Sequence, residues 1–444
     1  MPTPFEKRLE AALADSPLGA RLATAAEPLL ERRSNDSAAR ELDGAALRGV
    51  ARAISASPES ARYLSLRPAL FARLAALEPG ALERRAAQLE SVELPDPAKA
   101  REEFLDALRL LRRDEMLFAA CLHFGGLASF DAVSDFLSRV AELAARRALG
   151  AVEGRSDGES FTLAVLGMGK LAGREFTYHS DLDVIFLFRD DLPDDAPLPP
   201  SRIAQRWIST LATMTGAGYA YQVDSRLRPS GQQGALVTTY EAFARYQTES
   251  AATWEHVALL RARAIAGDVA RAQESLEKTR ERIARAAENP WKYLEDMRGR
   301  VVAERGKEDE RSAALKTGRG GIMDVEFLAS GALLERGLQL AGEAKPAVPA
   351  MLRAAASGPA LESLLLDYAF LRRVEAAARW LAGRAVESIQ RSGEQAEWLA
   401  DLVAPGQPPA RVTRRLAEAR ERIAAAFERV CANETIDALS AGRP

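Results

Sequence analysis

Two short apolar runs, FTLAVLG at 161–167 and DVIFLF at 183–188, are joined by only about ten residues, KLAGREFTYH, after a glycine turn. That shortness constrains the fold more than any other feature of the chain. Gly167, Gly169 and Ala172 fit the G-x-G-x-x-A turn of a dinucleotide-binding unit, and Asp190 follows at a suitable distance. A parallel strand–helix–strand crossover, however, usually occupies some thirty residues, with a full helix between its strands. Ten residues broken by Gly173 favour a mixed sheet, in which the glycine turn and the second strand frame one site. The dinucleotide reading also leaves unexplained why the second strand opens on SDLD.

Taken as a strand, SDLDVIFLF puts Asp181 and Asp183 on one face and Leu182, Val184 and Phe186 on the other. The two aspartate Cα atoms are then roughly 6.5–7 Å apart by strand rise. Carboxylates so placed repel unless a cation lies between them, and a hard divalent ion such as Mg²⁺ is the natural partner. A third acid, Asp224, ends the alternating segment GYAYQVD. If that segment neighbours the first strand, three carboxylates converge, a set that can hold two metals for in-line displacement at phosphorus. Arg226 and Arg228 follow at once, either as salt bridges to local acids or as partners of triphosphate oxygens. Two of the few lysines, Lys170 and Lys316, sit in glycine-rich turns, where a point charge commonly meets phosphate.

The remainder of the 444 residues reads as helix. EKRLEAALA, AALRGVARAISA, EFLDALRLLRR and FDAVSDFLSRVAELAARRAL carry helical apolar spacing before the strands. YEAFARYQTESAATWEHVALLRARAIAG reads as two helices, and from 271 the pattern is helical to the end apart from the break LKTGRGGIMDVEF. RDDLPDDAPLPPS, AGEAKPAVPA and APGQPPA are loops by composition. This gives an α+β chain with an N-terminal helical region over 1–155, a mixed-sheet domain over 156–270 and a C-terminal helical bundle over 271–444.

Composition excludes several classes. A net charge of −3 with interspersed signs argues against general nucleic-acid binding. No run is long enough to span a membrane, and the charged start does not resemble a secretory signal. A cytoplasmic location is expected. The three histidines, His123, His179 and His256, are too scattered for an imidazole-based metal centre, and Cys121 and Cys431 read as buried thiols.

Five blocks carry a family likeness. GKLAGRE, SDLD, VDSRLRPSGQQGALV, TWEHVALLRARAIAGD and KTGRGGIMDVEF, spread over roughly residues 163–330, together resemble the glutamine synthetase adenylyltransferase/adenylyl-removing enzymes. These belong to the polymerase-β-type nucleotidyltransferase superfamily. The resemblance implies a nucleotidyltransferase that moves an adenylyl group from ATP, with Mg²⁺, to a tyrosine of glutamine synthetase and so regulates nitrogen metabolism. The other half of the family removes the group with phosphate, giving ADP. Carried onto this chain, Asp181, Asp183 and Asp224 bind metal. Gly167, Gly169, Lys170 and Ser180 form the nucleotide-phosphate edge, with Arg226 and Arg228 beside it. Lys316 with Gly318, Gly320 and Gly321 supplies a second loop closing over the site. Asp324 and Glu326 fit loop bracing better than metal ligation. The blocks favour the adenylylating half, and glutamine synthetase is the implied protein substrate, with a PII signal protein as a further partner. Adenylyl removal, a non-catalytic module of the same fold and uridylylation of a PII protein are the alternatives. The last is disfavoured by the lack of His-Asp pairs. Family members usually carry two catalytic modules, and here there is one. Ala172, Ala252 and Val257 depart from the residues usual at their positions.

Overall fold

The computed structural model describes residues 2–156, 159–192, 198–286, 289–337 and 345–439. Most of RDDLPDDAPLPPS and of AGEAKPAVPA therefore lies outside the described residues.

Five strands form the main sheet: β1 (Leu163–Met168), β2 (Leu182–Phe188), β3 (Val223–Asp224), β4 (Val237–Thr239) and β5 (Ala262–Gly267). The order is β3-β2-β1-β5, and β4 also pairs with β2. β1 and β2 run antiparallel, with Val165 opposite Phe186. The ten-residue link is thus a reversal between antiparallel neighbours, which removes the dinucleotide-binding reading. β3 and β4 both lie parallel to β2, β3 at its start and β4 at its end. The α+β mixed sheet expected from the short link is what forms.

All of β1 is buried, and β2 is buried except near its ends. Phe186 meets Trp207 edge-on at 5.3 Å, and the Trp207 indole N–H donates to the Ala145 carbonyl at 2.9 Å. The Pro200–Ala212 helix is thereby fixed to the Phe130–Glu153 helix across the sheet edge. On the N-terminal side, the Gly44–Ala56 helix crosses the Arg101–Phe124 helix so closely that a Cβ at Gly49 would stand 2.0 Å from the Cys121 carbonyl oxygen. Both cysteines are free and buried. Apolar contacts run without interruption from the N-terminal helices through the sheet to the C-terminal helices. Among the described residues no helix is long and apolar enough to cross a membrane.

Three expectations need correction. ARAIAG is strand β5, not the end of a helix: it occupies the free edge of β1, with a bulge between Val165 and Leu166. The alternation of GYAYQVD extends to strand pairing only at Val223 and Asp224. The C-terminal segment is also not wholly helical, because β6 (Ser312–Ala314) and β7 (Ser388–Gln390) form an antiparallel ribbon that leads directly into the Lys316 loop.

Candidate active site

The glycine turn begins where β1 ends. Gly169 has φ of +53°, a conformation that favours glycine, and its N–H donates to the Arg261 carbonyl at 2.7 Å. A Cβ placed there would come within 4.0 Å of the Asp183 carboxylate, so this turn lies against the acids. A Cβ at Gly167 would meet Leu171 and Ile265 at about 3 Å, which is why the single helical turn Gly169–Ala172 can fold down onto the sheet.

Parallel pairing of β2 and β3 places Asp183 opposite Asp224, with Asp181 two residues earlier at the strand mouth. Asp181 is exposed and Asp183 half-buried. Neither carboxylate has a hydrogen bond or ion pair among the described residues. Burial, helped by Asp224 and Asp181 and opposed chiefly by Lys316, pushes the Asp183 carboxyl up to about 6. Burial also raises Asp181, against the pull of Arg379 and Arg112.

Asp224 behaves differently. Its carboxylate accepts the Arg226 backbone N–H at 2.8 Å and the Arg226 Nε at 2.8 Å, and these bonds hold it below the usual carboxylate range. The three acids are therefore neighbours in the sheet. Among the described residues, however, no three acidic, histidine or cysteine side chains are gathered closely enough to hold a metal. The expected convergence is incomplete because the third carboxylate has turned to the nearest cation. The donors still suit a hard divalent ion: they are all oxygens, two of them lack any partner, and Arg226 is 68% exposed and free to swing away.

The remaining candidates fall into two groups. Lys316 is exposed, has no ion-pair partner among the described residues and acts on Asp183 more strongly than any other nearby charge. Lys170 is instead buried, with its ammonium on Glu375 of the Pro359–Ala382 helix. Glu375 also takes Arg372 at 3.1 Å and Arg379 at 3.3 Å. Three cations around it keep Glu375 ionised, while burial depresses Lys170 to about 7. Ser180 is buried, and its hydroxyl accepts the Thr177 N–H at 3.2 Å, closing the turn before Asp181. Arg228 donates to the carbonyls of Ser225 at 2.8 Å and Gln232 at 3.2 Å, bracing the SGQQG loop.

The glycines after Lys316 have a different task from the one expected. A Cβ at Gly320 would stand 1.8 Å from the Arg420 carbonyl oxygen, and one at Gly318 would strike Glu308 and Arg420. Gly321 is similarly crowded by the backbone oxygens of Leu315, Lys316 and Gly318. These three glycines seat the loop on the Pro409–Asn433 helix, leaving Lys316 as the group that faces the acids. Asp324 receives the Gly320 N–H at 2.8 Å and pairs with Arg298, so it braces the loop as expected.

Sequence reasoning missed the polar layer beneath the site. Arg261 joins Glu326 and Glu175, each at 2.6 Å, and the Tyr368 hydroxyl donates to Glu175 at 2.9 Å. This buried chain ties the start of β5 and the glycine turn to the C-terminal helices. Its one sequence signal is the acid in GRE directly after the turn. Of the departures, Ala172 and Val257 are buried, and Ala252 caps the Thr253–Leu260 helix.

A family model described as glutamate-ammonia ligase adenylyltransferase matches residues 47–278, just over half of the chain and inclusive of all three acids. A second, described as PII-uridylyltransferase, matches residues 292–431. Among curated proteins, the bifunctional glutamine synthetase adenylyltransferase/adenylyl-removing enzyme of Thioalkalivibrio sulfidiphilus is 36% identical over 314 residues, 64% of this chain and 32% of its own length. The enzymes of the same name from Chromobacterium violaceum and Bordetella bronchiseptica are 38% identical over 250 residues and 36% over 296. They cover 55% and 63% of this chain, and 27% and 31% of their own lengths. The chain thus spans about a third of the length of the curated relatives it matches. With the carboxylate strands inside the matched span, the chain belongs to the glutamate-ammonia ligase adenylyltransferase family.

Proposed function

We propose that the chain is a Mg²⁺-dependent nucleotidyltransferase module that moves AMP from ATP to a tyrosine hydroxyl of glutamine synthetase. The observation that carries this is the pairing of Asp183 with Asp224 across two parallel strands, with Asp181 beside them and Lys316 facing them. When bound, the metal supplies charge neutralisation at the phosphates and lowers the pKa of the attacking hydroxyl. Asp181, Asp183 and Asp224 would hold it. The Gly169 turn, with its backbone close to Asp183, shapes the phosphate edge, and Lys316 meets the oxygens of the leaving pyrophosphate. The tyrosine oxygen forms a bond to the α-phosphorus as the bond to pyrophosphate breaks, and the phenolic proton is released. Water is kept from the β1–β2 side by the fully buried strand and the layer below it.

Lys170, Ser180 and Arg228 act here as positioning residues, since each is already engaged by protein atoms. On this reading residues 156–270 carry the chemistry, and the helical segments 1–155 and 271–444 dock the target and a regulatory PII protein in the cytoplasm. Adenylyl removal by phosphate is the second reading, because the relatives are named for both directions and this chain covers about a third of them. Two parallel reactions test the choice. Labelled ATP with unmodified glutamine synthetase should give label transfer. Adenylylated synthetase with phosphate should give little ADP. The reverse pattern would favour removal, and silence in both, unchanged by Asp181→Asn, would reject catalysis.

A further inference from the structure

Next to the turn that carries Asp181 is a cavity of about 280 Å³ walled by Tyr63, Arg112, Arg113, His179, Tyr219 and Trp380. Arg112 is only 8% exposed. Its guanidinium lies 5.2 Å from the ring centres of both Tyr219 and Tyr221, and it has no hydrogen-bond or ion-pair partner among the described residues. A guanidinium offers five N–H donors, and burying a charge without a partner is costly. The same helix solves this problem one turn earlier. Arg109 is fully buried and donates to the carbonyls of Leu105 at 2.6 Å, Gly218 at 2.9 Å and Thr213. Arg112 has been left without equivalent acceptors, and it opens on a cavity.

The position of that cavity indicates what enters it. Arg112 is among the charges acting on Asp181, whereas Lys316 acts on Asp183. With pyrophosphate leaving toward Lys316, an in-line displacement brings the attacking hydroxyl from the opposite flank. The walls suit such an acceptor, since they are aromatic and cationic, and Met214 at the lip is 66% exposed. We propose that this cavity is the acceptor subsite, receiving a tyrosine-bearing acidic protein segment whose carboxylate pairs with Arg112 while its ring packs against Tyr219 and Trp380. The inference rests on the reading of the chain as an adenylyltransferase and adds to it the chemistry of the acceptor.

Binding can be measured without turnover. A fluorescent peptide with tyrosine flanked by aspartate and glutamate should bind the wild-type chain and bind Arg112→Gln at least tenfold more weakly. A lysine-flanked peptide should bind neither. Arg112→Lys should retain part of the affinity, and it serves as the test if the glutamine variant fails to fold. In the transfer reaction Arg112→Gln should raise the KM for the protein acceptor about tenfold and leave the KM for ATP unchanged. Its melting temperature should not fall, because no protein partner is lost. Equal peptide binding by wild type and variant would overturn the proposal, and so would a rise confined to the KM for ATP. If wild type transfers no AMP in either direction yet binds the acidic peptide through Arg112, the reaction assignment fails and the subsite stands.

Discussion

Asp183 and Asp224 are register partners on parallel strands, yet one carboxylate is without a partner and the other is fully engaged by Arg226. The sheet has brought the acids together before anything joins them. Asp183 bears the consequence. Its pKa in the folded state, about 6, lies above the ordinary carboxylate value, so the metal-free fold binds that proton more tightly than the unfolded chain does. The resulting penalty is absent below about pH 4, grows toward pH 6 and is complete above it. Asp183→Asn should therefore melt higher than wild type at pH 8 in chelator, by on the order of 1–3 kcal/mol. The advantage should vanish near pH 4 and shrink when Mg²⁺ is added, while transfer activity is lost. Thermal melts at the two pH values would show it, and equal melting at pH 8 would count against an uncompensated acid.

Arg226 competes with any metal for Asp224. Its pair with Asp224 is largely exposed, and such pairs contribute about 0–1 kcal/mol, so Arg226→Ala should leave stability nearly unchanged. It should tighten divalent-ion binding severalfold in the nucleotide-free protein, as followed by calorimetry with Mn²⁺. Weaker binding in the variant would mean that Arg226 orients Asp224 for the ion instead of holding it away.

The layer under the site should behave in the opposite way. Arg261 sits between Glu175 and Glu326 in the interior, and removing one member of a buried ion pair typically costs about 3–5 kcal/mol. Arg261→Met should be destabilising on that scale in denaturant titration. The exposed pair Lys278–Glu274 offers a control, and Lys278→Met should cost less than about 1 kcal/mol.

What could be read from the sequence follows from the range of the interactions involved. Strand alternation placed Asp181 and Asp183 on one face, and the short link required β1 and β2 to be close neighbours; both are local properties. ARAIAG was misread because its alanines show no β-branched or aromatic preference, and the open edge of β1 decides its state. The roles of Lys170 and of the glycines at 318–321 were hidden for a different reason. Glu375 lies 205 residues beyond Lys170, and Arg420 is 101 beyond Arg319. No spacing rule reaches that far. Two lysines in similar glycine turns thus read alike in sequence, although one is a buried ion-pair member and the other faces the acids.

That difference gives the last prediction. Lys316 has no protein partner to lose, so Lys316→Ala should leave the melting temperature within a degree or so of wild type while raising the KM for ATP about tenfold or more. Lys170→Ala removes one of three cations around a buried carboxylate, and Glu375 keeps only Arg372 and Arg379. That variant should lose on the order of 1–3 kcal/mol in denaturant titration, because the charge it leaves behind is less well compensated. Lys170→Met with Glu375→Gln should recover part of the loss, since the double change removes both charges together. Steady-state kinetics and unfolding curves on the same four proteins separate the two roles. If Lys316→Ala destabilises and Lys170→Ala does not, the assignment of the two lysines is reversed.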